Sequence, residues 1–306
     1  MIGTRRSRLA MIQTEIVKSG LERRYPDRKF QIKTIKTTGD LISDLPLNKI
    51  NEKGLFIKEL ELALLNDEID LAIHSMKDVP TLLPVELKLG AVLKREQPWD
   101  VVICSANYSS LKEASTGFRI GSSSLRRKAQ LIHSYPHLGI QPIRGNLDTR
   151  LRKLNEGLYD GIVLAYAGVV RMGWFSLISE VLPADICLPA VGQGAIGIEI
   201  RNNDAEVAGL VASLNCPSTE AAVTAERAFL SKLEGGCQVP VGALATCDGD
   251  ELKLEGMVAS LDGEKIIRAK LSGFRNEAER IGFQLAEKML QQGCGTILDQ
   301  IRQECE

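Results

Sequence analysis

The chain has 306 residues, of which 44% are hydrophobic and 25% charged, and its formal net charge is −1. A chain of that length is too long for one ordinary hydrophobic core, so we expect two or three domains.

A pI of about 6.4, without a basic stripe of interleaved aromatic residues, argues against nucleic-acid binding. The longest apolar run, 161–170, is too short to span a bilayer, and Arg5, Arg6 and Arg8 fall where the apolar part of a signal peptide would begin. We therefore expect no membrane contact and a cytoplasmic or organelle-matrix protein, with the cytoplasm as the default.

The first two-thirds of the chain alternates short apolar strands with amphipathic helices, which is the pattern of α/β layers around a mainly parallel sheet. The first run contains, in order, a strand at 1–4, a helix capped by Ser7, a strand at 30–36, a helix at 55–66 and a buried strand at 69–74. The second run contains strands ending at Cys104 and at 119–121, 141–144 and 161–165, with helices capped by Ser124 and Asn146. Two similar units in succession predict two lobes that face a cleft, where ligands usually bind.

From Ser218 the pattern changes to that of a smaller α+β domain. A long helix is followed by strands near Cys247, at 252–260 and at 265–272, joined by Asp-Gly turns and closed by helices at 276–292 and from 296 onward. The glycine-rich segment 191–195 is either a hinge or the return of the chain to the first lobe. We predict three units: a discontinuous first lobe of residues 1–95 and 195–213, a second lobe of 96–194, and an α+β domain of 214–306.

Cysteine and histidine spacing argues against a metal site. The seven cysteines, at 104, 187, 216, 237, 247, 294 and 305, include no Cys-x-x-Cys, and the three histidines form no ligand pair at helical spacing. We expect reduced thiols and no bound metal.

The segment 74–80 follows a predicted buried strand, so its polar side chains emerge at the carboxyl end of that strand. Asp78 beside Lys77 is either an exposed ion pair of little energetic worth or part of a cleft. In a cleft, the carboxylate would stabilise a developing cation while the ammonium holds an acidic group.

Positive charge is concentrated in 119–171, where nine bases stand against three acids and seven of the nine bases are arginines. The planar guanidinium of arginine binds carboxylate or phosphate through two parallel N–H hydrogen bonds. Solvated helix faces explain most charge runs, but here several arginines follow predicted strand ends beside glycine, serine or asparagine.

The segment 121–127 places three serines and two arginines at a predicted strand-to-helix turn, where hydroxyls and free backbone N–H groups favour an anion. An ordinary serine cap is the alternative, although Arg126 and Arg127 at a helix start oppose the helix dipole, which a bound anion would offset. Similar strand-end groups occur at Arg144 to Arg150, at Arg5, Ser7 and Gln13, and at Arg171. We therefore expect a ligand with many carboxylates or phosphates; no nucleotide-binding glycine motif is present.

Cys237 lies in Glu234-Gly235-Gly236-Cys237-Gln238-Val239-Pro240. Paired glycines allow a sharp turn and leave room beside the thiol, so this cysteine is either approachable or a small buried hydrophobe that fills space.

Six segments occur in an order that resembles one family: Lys53-Gly54-Leu55-Phe56, His74 to Pro80, Gly121 to Arg127, Arg144 to Arg150, Leu188 to Gly194, and Glu234 to Pro240. Together they resemble the porphobilinogen deaminase (hydroxymethylbilane synthase) family of tetrapyrrole and heme biosynthesis, over essentially the whole chain. Arg8 stands where proline is common in that family, Ser122 replaces a frequent threonine, and Asn51-Glu52 replaces glycines.

The resemblance implies two lobes like those of periplasmic binding proteins and a third domain that carries a dipyrromethane cofactor through a thioether to Cys237. It also implies a transferase that joins four porphobilinogen molecules head to tail with loss of ammonia and releases hydroxymethylbilane by hydrolysis. A monomer is expected on the same ground.

The resemblance also assigns roles to residues. Asp78 would be the catalytic residue, stabilising the electron-poor azafulvenium and handling protons. The cofactor would be held by Lys77, Asp78, Ser122, Ser123, Ser124, Arg126, Arg127 and Arg150, besides Cys237. Substrate and the growing chain would be held by Arg5, Ser7, Gln13, Arg144, Arg150 and Arg171. Asp40, Lys49 and Lys53 lie on or beside a segment that in the family looks like a mobile cleft cover.

Two other classes of function remain open at this point. A non-catalytic binding protein for an acidic small molecule would use the same two-lobe cleft without a covalent adduct. A cysteine-nucleophile hydrolase or acyltransferase would need a histidine base near Cys237, and the three histidines lie far from it in sequence.

Overall fold

The computed structural model describes residues 1–38, 57–105, 108, 110–233 and 239–305. Among the residues singled out in the sequence, Asp40, Lys49, Lys53 and Cys237 lie outside these ranges, as do Asn51, Glu52 and the rest of the segments 53–56 and 234–238.

The described strands and helices alternate along the first two-thirds of the chain, as predicted. The strands are β1 (Ile2–Arg5), β2 (Ile32–Ile35), β3 (Leu71–Ser75), β4 (Leu87–Val92), β5 (Asp100–Cys104), β6 (Arg119–Gly121), β7 (Gly139–Gln141), β8 (Gly161–Ala165), β9 (Glu180–Leu182), β10 (Ile196–Arg201), β11 (Val241–Asp248), β12 (Glu251–Ala259) and β13 (Ile266–Phe274). The helices are α1 (Arg8–Arg24), α2 (Lys58–Leu65), α3 (Leu125–Ser134), α4 (Leu147–Asn155), α5 (Tyr166–Arg171), α6 (Ala205–Ala212), α7 (Pro217–Lys232), α8 (Ala278–Gln291) and α9 (Cys294–Cys305).

Two five-stranded sheets of matching design form the two lobes. Their strand orders are β2-β1-β3-β10-β4 and β7-β6-β8-β5-β9. In each sheet the first three strands are parallel, and the fourth is antiparallel to both of its neighbours. Four of five strands therefore point the same way, which confirms the predicted α/β class with mainly parallel sheets.

The third sheet, β11-β12-β13, is an antiparallel meander. Helices α7 and α8 cover it, and Phe229, Leu252, Leu285 and Met289 are among the fully buried side chains of the shared core. The smaller α+β C-terminal domain is confirmed.

Two segments cross between the lobes, one after β4 and one before β10, so the chain returns to the first sheet at β10. The second crossing contains Gly192 and Gly194, whose φ angles of 69° and 93° lie in the left-handed region that favours glycine. A Cβ on Gly194 would lie 2.5 Å from the carbonyl oxygen of Glu96, and one on Gly192 would lie 2.8 Å from Cβ of Met76. The second crossing therefore packs closely against the first and against the short turn Met76–Asp78.

One predicted strand was misplaced. The sequence favoured a strand at 141–144, whereas β7 ends at Gln141. Pro142 has no N–H for a sheet ladder, and the N–H of Ile143 donates instead to Oγ of Ser123 at 3.0 Å. The strands β4 and β9 and the helices α5 and α6 were not predicted.

The helices of the described ranges include none that combines the length and the apolar character required to cross a bilayer.

Candidate active site

Lys77 and Asp78 lie on the one-turn 3₁₀ helix Met76–Asp78, directly after β3. Met76 is buried, its N–H donates to the carbonyl of Ala195 at 3.0 Å, and Asp78 is exposed. Burial lowers the pKa of Lys77 to about 8, against the nearby charge of Asp78, and the charge of Arg127 adds to the lowering. The turn therefore presents a carboxylate beside an ammonium that loses its proton readily.

The three serines of the turn between β6 and α3 all serve the local fold. Ser124 caps α3, with its Oγ accepting from the N–H of Arg127 at 3.4 Å. Ser123 donates to the carbonyl of Ile143 at 2.7 Å and so fixes the segment after β7. Ser122 is buried, and its Oγ accepts from the N–H of Ser124 at 3.3 Å.

Arg126 and Arg127 are buried and share one carboxylate. Nη1 of Arg126 donates to Oδ2 of Asp100 at 2.7 Å, and Nη2 of Arg127 donates to Oδ1 at 2.7 Å. The side chains are 5% and 7% exposed, and that of Asp100 is fully buried. The two arginines hold the pKa of Asp100 well below its usual range despite its burial, so it is ionised. The anion that offsets two cations at the start of α3 is thus supplied, at least in part, by β5 of the same chain.

Two side chains from the segment before β10 also donate hydrogen bonds to Asp100. Nε2 of Gln193 donates to Oδ1 at 3.0 Å, and Sγ of Cys187 donates to Oδ2 at 3.3 Å. Burial raises the pKa of the Cys187 thiol to about 12, and Asp100 adds to that shift. Cys187 is therefore a neutral donor in this network, not a nucleophile.

Arg144 and Arg150 flank the start of α4, and neither forms an ion pair with a carboxylate of the described residues. Nε of Arg150 donates to the carbonyl of Gly145 at 2.9 Å. Burial lowers the pKa of Arg150 to about 10, and the charges of Arg127 and Arg144 lower it further. Nη1 of Arg144 is buried and has no hydrogen-bond partner among the described residues. A buried donor without an acceptor is costly, and it is the feature expected where an anionic ligand binds.

The remaining predicted residues divide between two places. Gln13 is buried, and its side-chain amide exchanges hydrogen bonds with Oγ of Ser75 at the end of β3, which brings it next to the Met76–Asp78 turn. Ser7 caps α1, and Arg5 ends β1. Arg171 lies instead beside the second crossing, the one before β10, where its Nη2 donates to the carbonyl of Gly194 at 2.7 Å.

The charges of this region do not balance among the described residues. Five cations, Lys77, Arg126, Arg127, Arg144 and Arg150, meet two carboxylates, Asp78 and Asp100. An excess of three positive charges, together with the unmatched donor of Arg144, fits a bound group with several carboxylates. In the described ranges, no group of three or more His, Cys, Asp or Glu side chains is arranged to hold a metal ion.

Sequence reasoning missed three charged residues that organise the site, the fully buried Asp100 and Glu226 and the half-buried Arg227. Asp100 heads an apolar strand, and a charge in that position is a signal that was available. Glu226 and Arg227 on α7 gave no such signal, because adjacent charges on a helix are usually solvated.

Family models match the chain over two ranges. Residues 1–209 match "Porphobilinogen deaminase, dipyromethane cofactor binding domain", and residues 220–291 match "Porphobilinogen deaminase, C-terminal domain".

Curated proteins similar to this chain cover nearly its whole length. A porphobilinogen deaminase from Pelotomaculum thermopropionicum is 52% identical over 303 residues, 99% of this chain and 97% of that protein. One from Carboxydothermus hydrogenoformans is 50% identical over 304 residues, again 99% and 97%. One from Nostoc sp. is 47% identical over 308 residues, 100% of this chain and 95% of that protein.

Solved structures similar to this chain are more distant. A probable amino-acid ABC transporter extracellular-binding protein from Bacillus subtilis matches with a TM-score of 0.41 at 13% identity, covering 70% of this chain and 88% of that one. The periplasmic aliphatic sulphonate binding protein from Escherichia coli matches with a TM-score of 0.40 at 14% identity, covering 76% and 70%.

Proposed function

The chain belongs to the porphobilinogen deaminase family, and from that premise we propose how its own residues divide the work of the enzyme. The family's reaction is the stepwise, head-to-tail condensation of four porphobilinogen molecules with loss of ammonia, followed by hydrolytic release of hydroxymethylbilane. The covalently bound dipyrromethane supplies the free pyrrole α-carbon from which the chain is built.

Asp78 is the catalytic residue in this proposal. When ammonia leaves the protonated aminomethyl group, the carbon–nitrogen bond breaks with its electron pair going to nitrogen, and the remaining pyrrole carries positive charge. A carboxylate beside that pyrrole stabilises the cation and accepts its N–H. The exposure of Asp78 next to Lys77, on a turn fixed by Met76, supports this role.

The observation that carries the proposal is the excess of positive charge around Asp78 among the described residues, which includes Nη1 of Arg144, a buried donor with no acceptor among them. Each pyrrole unit bears two carboxylates, so every addition brings new anions. We assign Arg144 and Arg150 to the substrate and growing chain, with Arg5, Ser7, Gln13 and Arg171, and Arg150 also to the cofactor.

The cofactor would be held by Lys77, Ser122, Ser123, Ser124, Arg126, Arg127 and Arg150, with its covalent link at Cys237. Because Arg126 and Arg127 are bound to Asp100, we assign them the task of holding the start of α3 in a fixed, positively charged position. Their contribution to the cofactor is then largely electrostatic.

Intact mass spectrometry of the purified protein tests the anchor. The wild-type protein should carry the mass of two linked pyrroles, and Cys237→Ser should lack it while Cys216→Ser keeps it. A protein that makes hydroxymethylbilane without the adduct would refute the assignment of Cys237.

Turnover of Asp78→Asn tests the catalytic role. The variant should carry the cofactor, as shown by its mass, and turn over porphobilinogen at least about 100-fold more slowly than wild type. Near-normal turnover would remove Asp78 from the chemistry.

We further propose a monomer that works in the cytoplasm without a metal, and domain bounds at 95/96, 194/195 and 213/214. The membership of β10 in the first sheet supports a discontinuous first lobe. Light scattering after gel filtration tests the monomer, and full activity in a chelator tests independence from metal.

A further inference from the structure

Arg227 of α7 binds the backbone that directly follows Asp78. Its Nη1 donates to the carbonyl of Val79 at 3.1 Å, and its Nη2 donates to the carbonyls of Pro80 at 2.6 Å and Thr81 at 3.1 Å. Three consecutive carbonyls are thus held by one guanidinium from the C-terminal domain.

This stretch needs an outside partner to be ordered. The residues after Asp78 form no helix or strand until β4 begins at Leu87, and Pro80 has no N–H for a local hydrogen bond. Carbonyls that no backbone donor satisfies require another donor, and arginine offers several in one rigid plane. Arg227 therefore supplies, directly after the Met76–Asp78 turn, the backbone hydrogen bonds that a helix or strand would otherwise make.

Packing on the same helix face supports the contact. Val223, one helical turn before Arg227, lies in a buried cluster with Met76 and Val79. Met76 fixes the turn from the other side through its N–H bond to Ala195. The Met76–Asp78 turn is thus clamped between the crossing that precedes β10 and helix α7.

The same helix lies shortly before Cys237 in the sequence. α7 ends at Lys232, five residues before Cys237 in the sequence. One continuous helix therefore connects the backbone beside Asp78 to the segment that contains Cys237.

We propose that Arg227 is a positioning residue for the reaction: by holding the carbonyls of residues 79–81, it fixes the Asp78 carboxylate relative to the C-terminal domain that carries the cofactor. This rests on the proposed catalytic role of Asp78. A small displacement of a catalytic group is expensive, since about 1 Å can cost on the order of 100-fold in rate.

The test compares Arg227→Gln and Arg227→Lys with wild type, with kcat expressed per mole of cofactor-loaded enzyme as counted by intact mass. We expect kcat to fall roughly 10- to 100-fold in Arg227→Gln with KM for porphobilinogen within about twofold. Arg227→Lys, which keeps a charged donor, should recover part of the loss. It also provides the measurement if the glutamine variant does not fold.

Arg201→Gln is the matched control. Arg201 is also a half-buried arginine that donates to two backbone carbonyls, those of Leu64 and Ile69, at 2.9 and 2.8 Å. Its loss should lower stability and leave kcat of the folded enzyme within about twofold of wild type. An equal fall of kcat in Arg201→Gln and Arg227→Gln would overturn the positioning role in favour of a general loss of order.

A double-mutant cycle separates this inference from the function it rests on. If Arg227 acts through Asp78, Arg227→Gln should slow the residual turnover of Asp78→Asn far less than it slows wild type. An undiminished effect in that background, or unchanged kcat in both Arg227 variants while Asp78→Asn is slow, would overturn the inference alone. Near-normal turnover of Asp78→Asn would instead refute the catalytic role of Asp78, and the inference with it.

Discussion

Glu226 of α7 is bound to Arg95 of the first crossing between the lobes, with Nη1–Oε1 and Nη2–Oε2 distances of 2.5 and 3.2 Å. The same carboxylate, fully buried, accepts from the N–H of Gly192 on the second crossing at 2.7 Å and from that of Ala245 on β11 at 2.8 Å. One side chain of the C-terminal domain thus joins both crossings. Both crossings are therefore tied to the C-terminal domain through this one carboxylate.

Glu226→Gln should lower the free energy of unfolding strongly. The change leaves Arg95 without its counter-charge and turns an amide N–H toward backbone donors, and breaking a buried pair costs about 3–5 kcal/mol. Urea unfolding, read at the first transition, measures the loss. The exposed pair of Lys232 and Glu287 on α7 and α8 gives the control: Glu287→Gln should cost no more than about 1 kcal/mol. Similar losses in the two variants would show that the buried pair of Glu226 and Arg95 stabilises the fold no more than an exposed pair does.

Asp100→Asn should destabilise the protein in a way that depends on pH. At neutral pH the variant leaves Arg126 and Arg127 buried without their anion, at a cost of about 3–5 kcal/mol. Because folding depresses the pKa of Asp100 below its ordinary value of 3.8, the stabilisation is complete above that value and is lost as pH falls toward the folded-state pKa.

The measurement is urea unfolding of wild type and Asp100→Asn at several pH values. Their difference in stability should be constant from pH 7 to about 5 and should shrink below about 4. A difference that stays constant in acid would show that the Asp100 carboxylate is not the source of the stabilisation.

Local features of the site were predictable from the sequence. Ser124 and Asn146 were expected to cap helices, and both do, with the Asn146 side chain accepting from the N–H of Thr149 at 2.9 Å. A cap depends on residues three positions apart, so neighbouring sequence determines it. The placement of Asp78 and Lys77 after β3 was predictable for the same reason, since a strand end is a local signal.

The partners of the buried charges were not predictable. Asp100 meets Arg126 from 26 residues away, and Glu226 meets Arg95 from 131 residues away. Periodicity reports which face of an element is apolar, and it carries no information on which distant charge meets another. The sequence therefore suggested that Arg126 and Arg127 bind an external anion, whereas the carboxylate of Asp100 already binds both.

Lys77 should make cofactor binding sensitive to pH near 8. Its pKa is lowered to about 8, so the ammonium that would bind a cofactor carboxylate is lost as pH rises through that value. The test is calorimetric binding of a free dipyrromethane with acetate and propionate side chains to Cys237→Ser, from pH 6.5 to 9.5. Affinity should weaken as pH rises through about 8.

The double variant Cys237→Ser with Lys77→Arg should bind with little change over the same range, because arginine stays protonated. Lys232→Arg, on the surface of α7, should leave the pH dependence as it is. A flat profile for Cys237→Ser between pH 7 and 9 would mean that Lys77 does not hold the ligand.

Arg144→Leu should separate substrate binding from stability. Nη1 of Arg144 is buried and has no hydrogen-bond partner in the part of the chain that the structure describes, and an unsatisfied buried donor costs about 1–3 kcal/mol. Its removal should therefore leave the melting temperature unchanged or raise it. A charge-assisted hydrogen bond to a substrate carboxylate contributes about 1.5–3 kcal/mol, so KM for porphobilinogen should rise by roughly 10- to 100-fold. Arg152→Leu, on the helix that follows Arg144, is the control, because Arg152 is exposed and pairs with Glu156 four residues later; it should alter KM by less than about twofold. A destabilised Arg144→Leu with normal KM would show that Arg144 serves the fold rather than the substrate.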